Sequence, residues 1–217
     1  MEQQVLNAVK ENKIIVIVRG VERDDLLPLA TALFEGGIRL LEVTFDAKGV
    51  ISDAETAQNI ELLVKELGDK MFIGAGTVLT KKQVSLTKKA GGGFIISPNV
   101  DKSVIKSTKR AGLVSIPGAL TPSECQSAVK YGADLVKLFP VTDLGSGYLK
   151  AVCAPLSHIK FLAVGGIDQT NISEYLSAGA GGFGIGSNII NKKLIEKGDF
   201  EGIKNLAINY VEAVKNA

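Results

Sequence analysis

The sequence predicts an α/β protein, a (β/α)8 TIM barrel with an extra N-terminal helix, formed as a single domain over residues 1–217. Three observations carry that prediction. Eight short runs rich in β-branched residues recur along the chain, and several are continuously apolar, as parallel strands covered on both faces are. Helix-period segments lie between them and end in glycine. At 217 residues, 46% of them hydrophobic, the chain can bury one substantial core.

Taken in order, Glu2–Glu11 reads as a helix closing the bottom of the barrel, and Ile14–Val18 as the first strand. A helix ending at Gly36-Gly37 leads to the strand Leu40–Phe45, and one ending at Gly68 leads to Phe72–Val78. Helices stopped at Ala90-Gly91 and Ala111-Gly112 precede the strands Phe94–Ser97 and Leu113–Pro117. Each such glycine is expected to take the left-handed conformation that ends a helix. Thr121-Pro122-Ser123-Glu124 then opens a helix with a capping box and a proline at its first position, and Tyr131-Gly132 ends it. The remaining strands are Leu135–Phe139, Phe161–Gly166 and, after a helix ending at Ala178-Gly179, Gly182–Ser187. Phe200–Val214 is the last outer helix. An open doubly wound sheet is the other way to arrange such units. It usually shows a phosphate or dinucleotide fingerprint after its first strand, yet Arg19-Gly20-Val21-Glu22 is no GxGxxG and no Gly-Lys dipeptide occurs.

Lys+Arg 25 against Asp+Glu 23 leaves a net charge of +2 scattered along the chain, which gives no reason to expect nucleic acid. The early apolar run Ile14–Val18 is too short for a membrane span or a signal segment, so a cytoplasmic protein with no membrane partner is expected. Cys125 and Cys153 form no CxxC pair and are read as reduced and packed. With His158 as the single histidine, placed in the loop before the seventh strand, no metal site is expected. Asn171-Ile172-Ser173 matches a glycosylation sequon that a cytoplasmic chain would not use.

In a barrel of this kind the active site gathers at the carboxyl ends of the strands, so polar residues late in apolar strands stand out. They are Arg19, Glu42, Thr44, Thr77, Ser97, Asn99, Lys137 and Ser187. Lys137 sits in Leu135-Val136-Lys137-Leu138-Phe139-Pro140, where poor solvation would disfavour the ammonium and leave a nucleophilic amine. Its alternatives are snorkelling to water or a structural ion pair with Glu42. Glu42, in Leu40-Leu41-Glu42-Val43-Thr44-Phe45, could serve as the acid/base of an imine reaction or merely balance the lysine. Val164-Gly165-Gly166-Ile167 and Gly184-Ile185-Gly186-Ser187-Asn188 fall at the seventh and eighth strands, the usual phosphate position. There Gly165, Gly166 and Gly186 can bare their amides to an anion, Ser187 can add a hydroxyl, and a short following helix can point its positive end at the charge.

Several segments together resemble one family, from Ile14 to about Asn191. They are Leu41-Glu42-Val43-Thr44, Gly74-Ala75-Gly76-Thr77-Val78, Ile96-Ser97-Pro98, Ile116-Pro117-Gly118, Lys137-Leu138-Phe139-Pro140, Gly165-Gly166 and Gly186-Ser187. In this order they are similar to the 2-keto-3-deoxy-6-phosphogluconate (KDPG) / 4-hydroxy-2-oxoglutarate (KHG) aldolases, which are class I, Schiff-base aldolases. The resemblance implies Lys137 as the Schiff-base lysine, Glu42 as general acid/base, and Thr77, Pro98 and Phe139 as pocket walls. It also implies Gly165, Gly166 and Ser187 as phosphate ligands, a homotrimer, and no cofactor. Two positions depart from parts of the family. Asp46 stands where some members carry an arginine for the substrate carboxylate, which makes Arg19 the expected carboxylate ligand, unless it only pairs structurally with Glu42. Val164 stands where gluconate-type enzymes tend to have threonine and galactonate-type relatives valine. The expected substrate is a 2-keto-3-deoxy-6-phospho-sugar acid, cleaved to pyruvate and glyceraldehyde 3-phosphate, with 4-hydroxy-2-oxoglutarate as a second substrate. A phosphate-binding-barrel isomerase or synthase, or a non-catalytic phosphate-binding barrel, would keep the glycines and Ser187 but give Lys137 another role.

Overall fold

The structure, a computed structural model, describes residues 1–217. Its strands are β1 Ile14–Val18, β2 Leu40–Thr44, β3 Phe72–Gly76, β4 Phe94–Ile96, β5 Val114–Ile116, β6 Gly118–Ala119, β7 Val136–Leu138, β8 Phe161–Val164 and β9 Gly182–Ile185. Every pairing is parallel, in the order β5-β4-β3-β2-β1-β9-β8-β7-β6. Because β5 and β6 are consecutive in the chain, the sheet closes on itself as a barrel.

The fifth run, Leu113–Pro117, holds one strand, β5, paired to β4; directly beyond it the chain forms a short ninth strand that was not expected, β6, paired to β7. Pro117 separates the two. It has no N–H to donate to a ladder, although its carbonyl still accepts from Lys137 N–H at 2.9 Å. The third and seventh runs also end early, because Thr77 (φ 53), Gly165 (φ 107) and Gly166 (φ 69) leave the extended region.

Two apolar clusters separate the inside of the barrel from its coat. The inner one combines Ile15, Leu40, Phe94, Ile96, Val114, Ile116, Leu135, Leu162 and Val164 with Val5, Ala8 and Val9 of α1 (Glu2–Asn12). The N-terminal helix therefore plugs the amino end, as its sequence predicts. The larger outer cluster lies between the strands and the surrounding helices and includes Ile203, Ala207 and Tyr210 of the last helix, Phe200–Lys215.

Helix punctuation follows the sequence closely. Thr121 and Glu124 form the expected capping box, and Ser52/Glu55 and Thr80/Gln83 form two more. Gly37, Gly91, Gly112, Gly132 and Gly179 all have positive φ. Gly68 does not: at φ −67 it stays right-handed, with its N–H donating to the Val64 carbonyl as one more helical residue. His158 is exposed beside Gln126.

Candidate active site

Side chains alternate across a strand, so the parity of each strand sorts its residues between interior and coat. In the sixth run Leu135 lies in the inner cluster and Phe139 packs against it, which places Lys137, of the same parity, on the inner face. In β2 the inner residue Leu40 does the same for Glu42 and Thr44. Lys137 is 7% exposed and Glu42 only 1%, so the lysine does not snorkel into bulk water.

No ion pair within 4.0 Å joins Lys137 to Glu42 or Arg19 to Glu42. The purely structural pairings are therefore not made. Glu42 Oε2 is buried without any hydrogen-bond partner, a costly arrangement in a folded interior. The Lys137 Nζ rests 4.6 Å from the centre of the Phe139 ring. Burial pushes the Lys137 pKa below its usual 10.5, with the Arg19 charge pushing the same way and Glu42 opposing. Burial likewise raises the Glu42 carboxyl above 4.5, against the attraction of Lys137 and Arg19. Both shifts act in favour of the neutral forms, the amine of Lys137 and the carboxylic acid of Glu42.

Glu42 is fitted by a neighbour without a side chain. A Cβ on Gly76 would fall 1.5 Å from Glu42 Oε1, so the carboxylate occupies the space that any other residue at 76 would fill. The next residue, Thr77, is β-branched yet left-handed, an uncommon strain of the kind found at functional sites. Its Oγ1 accepts from Arg19 Nη2 at 3.1 Å. Ser97, buried at the end of β4, donates to the Val78 carbonyl at 2.7 Å and braces this corner. Thr44 is half-buried in register with Gly76, and Pro98 is half-buried just beyond β4. Asp46, where an arginine is absent, turns its carboxylate onto its own loop and accepts from the N–H groups of Lys48, Val50 and Ile51 at 2.9, 2.8 and 3.1 Å. Those bonds, Lys48 first, hold its pKa below 3.8. Arg19 is thus the cation facing the Lys137–Glu42 pair.

The expected anion residues flank this pair. Val164 is buried in register with Gly184. Beyond it the left-handed Gly165-Gly166 turn is held by Asn171, which donates to the Gly166 carbonyl at 2.8 Å. The turn after β9 presents a half-buried Gly186 and an exposed Ser187, and Asn188 ties it across to the Ile167 carbonyl at 2.9 Å. Of the two short helices that follow these turns, Lys192–Glu196 is capped by Asn191, whose side chain takes the Lys193 and Leu194 N–H groups, whereas Ile172–Ser177 has no side-chain cap. Asn171 and Asn188 hold these turns, a role the sequence alone does not assign them. Their signal was only that each lies a few residues beyond a glycine motif.

A parallel barrel with a dry lysine–carboxylate pair inside its carboxyl end and glycine turns beside it is the architecture of a carbon–carbon lyase that works through an imine. The comparisons agree. The family model "KDPG and KHG aldolase" matches residues 5–206, and the chain belongs to that family. It is 34% identical over 177 residues to the 2-dehydro-3-deoxy-6-phosphogalactonate aldolase of Escherichia coli (strain K12), covering 81% of this chain and 83% of the relative. It is 30% identical over 214 residues to the 2-dehydro-3-deoxy-phosphogluconate aldolase of Haemophilus influenzae, covering 98% of each. Among solved structures, the Legionella pneumophila KDPG aldolase with pyruvate captured as a covalent carbinolamine superposes with a TM-score of 0.83 at 32% identity, covering 93% of this chain and 95% of the other.

Proposed function

We propose that the chain, working as one barrel domain, reversibly cleaves a 2-keto-3-deoxy-6-phospho-sugar acid, gluconate- or galactonate-derived, to pyruvate and glyceraldehyde 3-phosphate. It also turns over 4-hydroxy-2-oxoglutarate. The observation that carries this reading is the unpaired couple inside the barrel, a 7%-exposed lysine facing a 1%-exposed glutamate whose Oε2 has no partner.

The neutral Lys137 amine adds to the C2 carbonyl to give a carbinolamine. Glu42, whose protonated form burial favours, gives its proton to the departing hydroxyl, and water leaves. The iminium now puts a fixed positive charge beside Glu42, which favours the carboxylate. That carboxylate takes the C4 hydroxyl proton as the C3–C4 bond breaks, releasing the aldehyde and leaving a neutral enamine. Glu42 returns the proton to C3 and then takes one from the water that attacks the iminium, and the carbinolamine collapses to pyruvate and free amine. Arg19 presents its guanidinium to the substrate carboxylate, with Thr77 holding it in place. Thr44, Pro98, Phe139 and Val164 wall the chain, and Gly165, Gly166, Gly186 and Ser187 receive the phosphate. A homotrimer and a cytoplasmic location complete the reading. They rest on the family resemblance and on two free thiols, and light scattering should return three times the 22.9 kDa chain mass.

A lactate dehydrogenase-coupled assay comparing kcat/KM for the two 6-phospho epimers and 4-hydroxy-2-oxoglutarate tests the substrate assignment. Both phosphorylated compounds should exceed the unphosphorylated one. Equal or reversed values would remove the phosphate from the reading.

A further inference from the structure

We propose that Thr142 is a specificity-determining residue of this reaction, its hydroxyl completing the anion cradle beside the Gly165-Gly166 turn. The proposal rests on the substrate reading above and deepens it.

The two glycines face Thr142 at close range. A Cβ built on Gly165 would lie 2.9 Å from Thr142 Oγ1, and one built on Gly166 would lie 3.0 Å from Thr142 Cγ2 and 3.3 Å from Oγ1. Positive φ calls for glycine at both positions, and the Thr142 side chain lies in the space a side chain there would enter.

The surrounding backbone is already committed. Val141 N–H donates to the Val164 carbonyl at 3.1 Å, and the Val141 carbonyl accepts from Tyr175 Oη at 3.2 Å and from Leu144 and Gly145 N–H at 3.2 and 3.0 Å. Thr142 sits on this anchored stretch with an exposed side chain, and no protein group hydrogen-bonds its hydroxyl. An unengaged hydroxyl on an anchored backbone, against two bare glycines, supplies what a phosphate needs beyond backbone amides, a further donor. Thr142 also follows Lys137 by five residues on one continuous segment. The separation between the attacking amine and this donor is therefore set locally, which suits a substrate carrying its carbonyl and its phosphate at opposite ends.

Thr142→Val keeps the shape that props the turn and removes only the hydroxyl, whereas Thr142→Ser keeps the hydroxyl. Two readouts are taken on the full chain: the affinity of inorganic phosphate by calorimetric titration, and the ratio of kcat/KM for a 6-phospho substrate to that for 4-hydroxy-2-oxoglutarate. Thr142→Val should weaken phosphate and lower the ratio by about five- to tenfold, the worth of one hydrogen bond to a charged group, and Thr142→Ser should recover most of both. Unchanged phosphate affinity in Thr142→Val would overturn the proposal while leaving the aldolase reading intact, and so would an equal fall on both substrates. If the parent protein itself fails to bind phosphate, the cradle and the proposal fall together, while imine formation with pyruvate still tests the aldolase separately.

Discussion

At the amino rim of the barrel Lys109 Nζ lies 2.6 Å from Glu2 and 2.7 Å from Asp134, and Asp134 in turn accepts the Ser115 N–H at 2.8 Å. Each charge there has a partner, and the cluster ties α1 to the helix Lys102–Arg110 and to the chain entering β7. At the carboxyl rim Lys137 and Glu42 are far more deeply buried and have no partner within ion-pair distance. The same residue types thus serve two ends: paired and partly wet, they fasten the fold; unpaired and dry, they are pushed toward neutral forms that can exchange protons with a substrate. On the proposed reading, stability collects at one rim and reactivity at the other, at the expense of a carboxylate oxygen left unsatisfied.

The sharpest way to break this contrast is to remove the amine. Lys137→Met should cost at least about 10⁴-fold in kcat, as loss of a covalent nucleophile does, while the protein still folds, as circular dichroism would report. Glu42→Gln should cost about 10²–10⁴-fold in kcat and yet raise thermal stability. The folded-state pKa of Glu42 lies above 4.5, so its burial does no harm at pH values below that, where the folded and unfolded chains both hold the proton. Stability is lost as pH rises through the folded value, and glutamine removes that loss. The gain in Tm should accordingly be larger at about pH 8 than at about pH 4; a variant less stable than its parent at about pH 8 would show that Glu42 is structural after all.

Smaller effects sharpen the comparison. Val164→Thr adds a hydroxyl to the wall next to the double glycine and should shift the preference between epimers toward the gluconate compound by about tenfold, one hydrogen bond's worth, read as a ratio of kcat/KM values. Lys109→Met should do the reverse of the Lys137 change. It leaves kcat alone and lowers Tm by about 2–4 °C, since a partly exposed pair contributes about 1 kcal/mol. A loss of turnover in Lys109→Met without a loss of stability would blur the two rims.

Periodic features were legible in the sequence, and features made by contacts between loops were not. Alternation placed Lys137 and Glu42 on inner faces because Leu135 and Leu40 share their parity, and glycine after a helical run gave nearly every helix end. Gly68 misled because a glycine permits the left-handed turn without requiring it. Pro117 was visible as the end of a run, but the short strand β6 beyond it depends on β5 and β6 serving different neighbours, which only the closed barrel decides. Thr77 gave no warning of its positive φ, since β-branched residues favour extended backbone. Thr142 and Asn188 act on glycines or backbone far along the chain, and no local pattern reports such distant partners; Asn171 reaches back only to Gly166, but an asparagine after a glycine turn has many local uses.

The central claim is that Lys137 attacks a ketone. Treating the protein with pyruvate and borohydride should add about 72 Da, the mass of one reduced pyruvyl imine, on the peptide containing Lys137, and the addition should vanish in Lys137→Met. No adduct at saturating pyruvate, or an adduct carried by another lysine, would contradict the account.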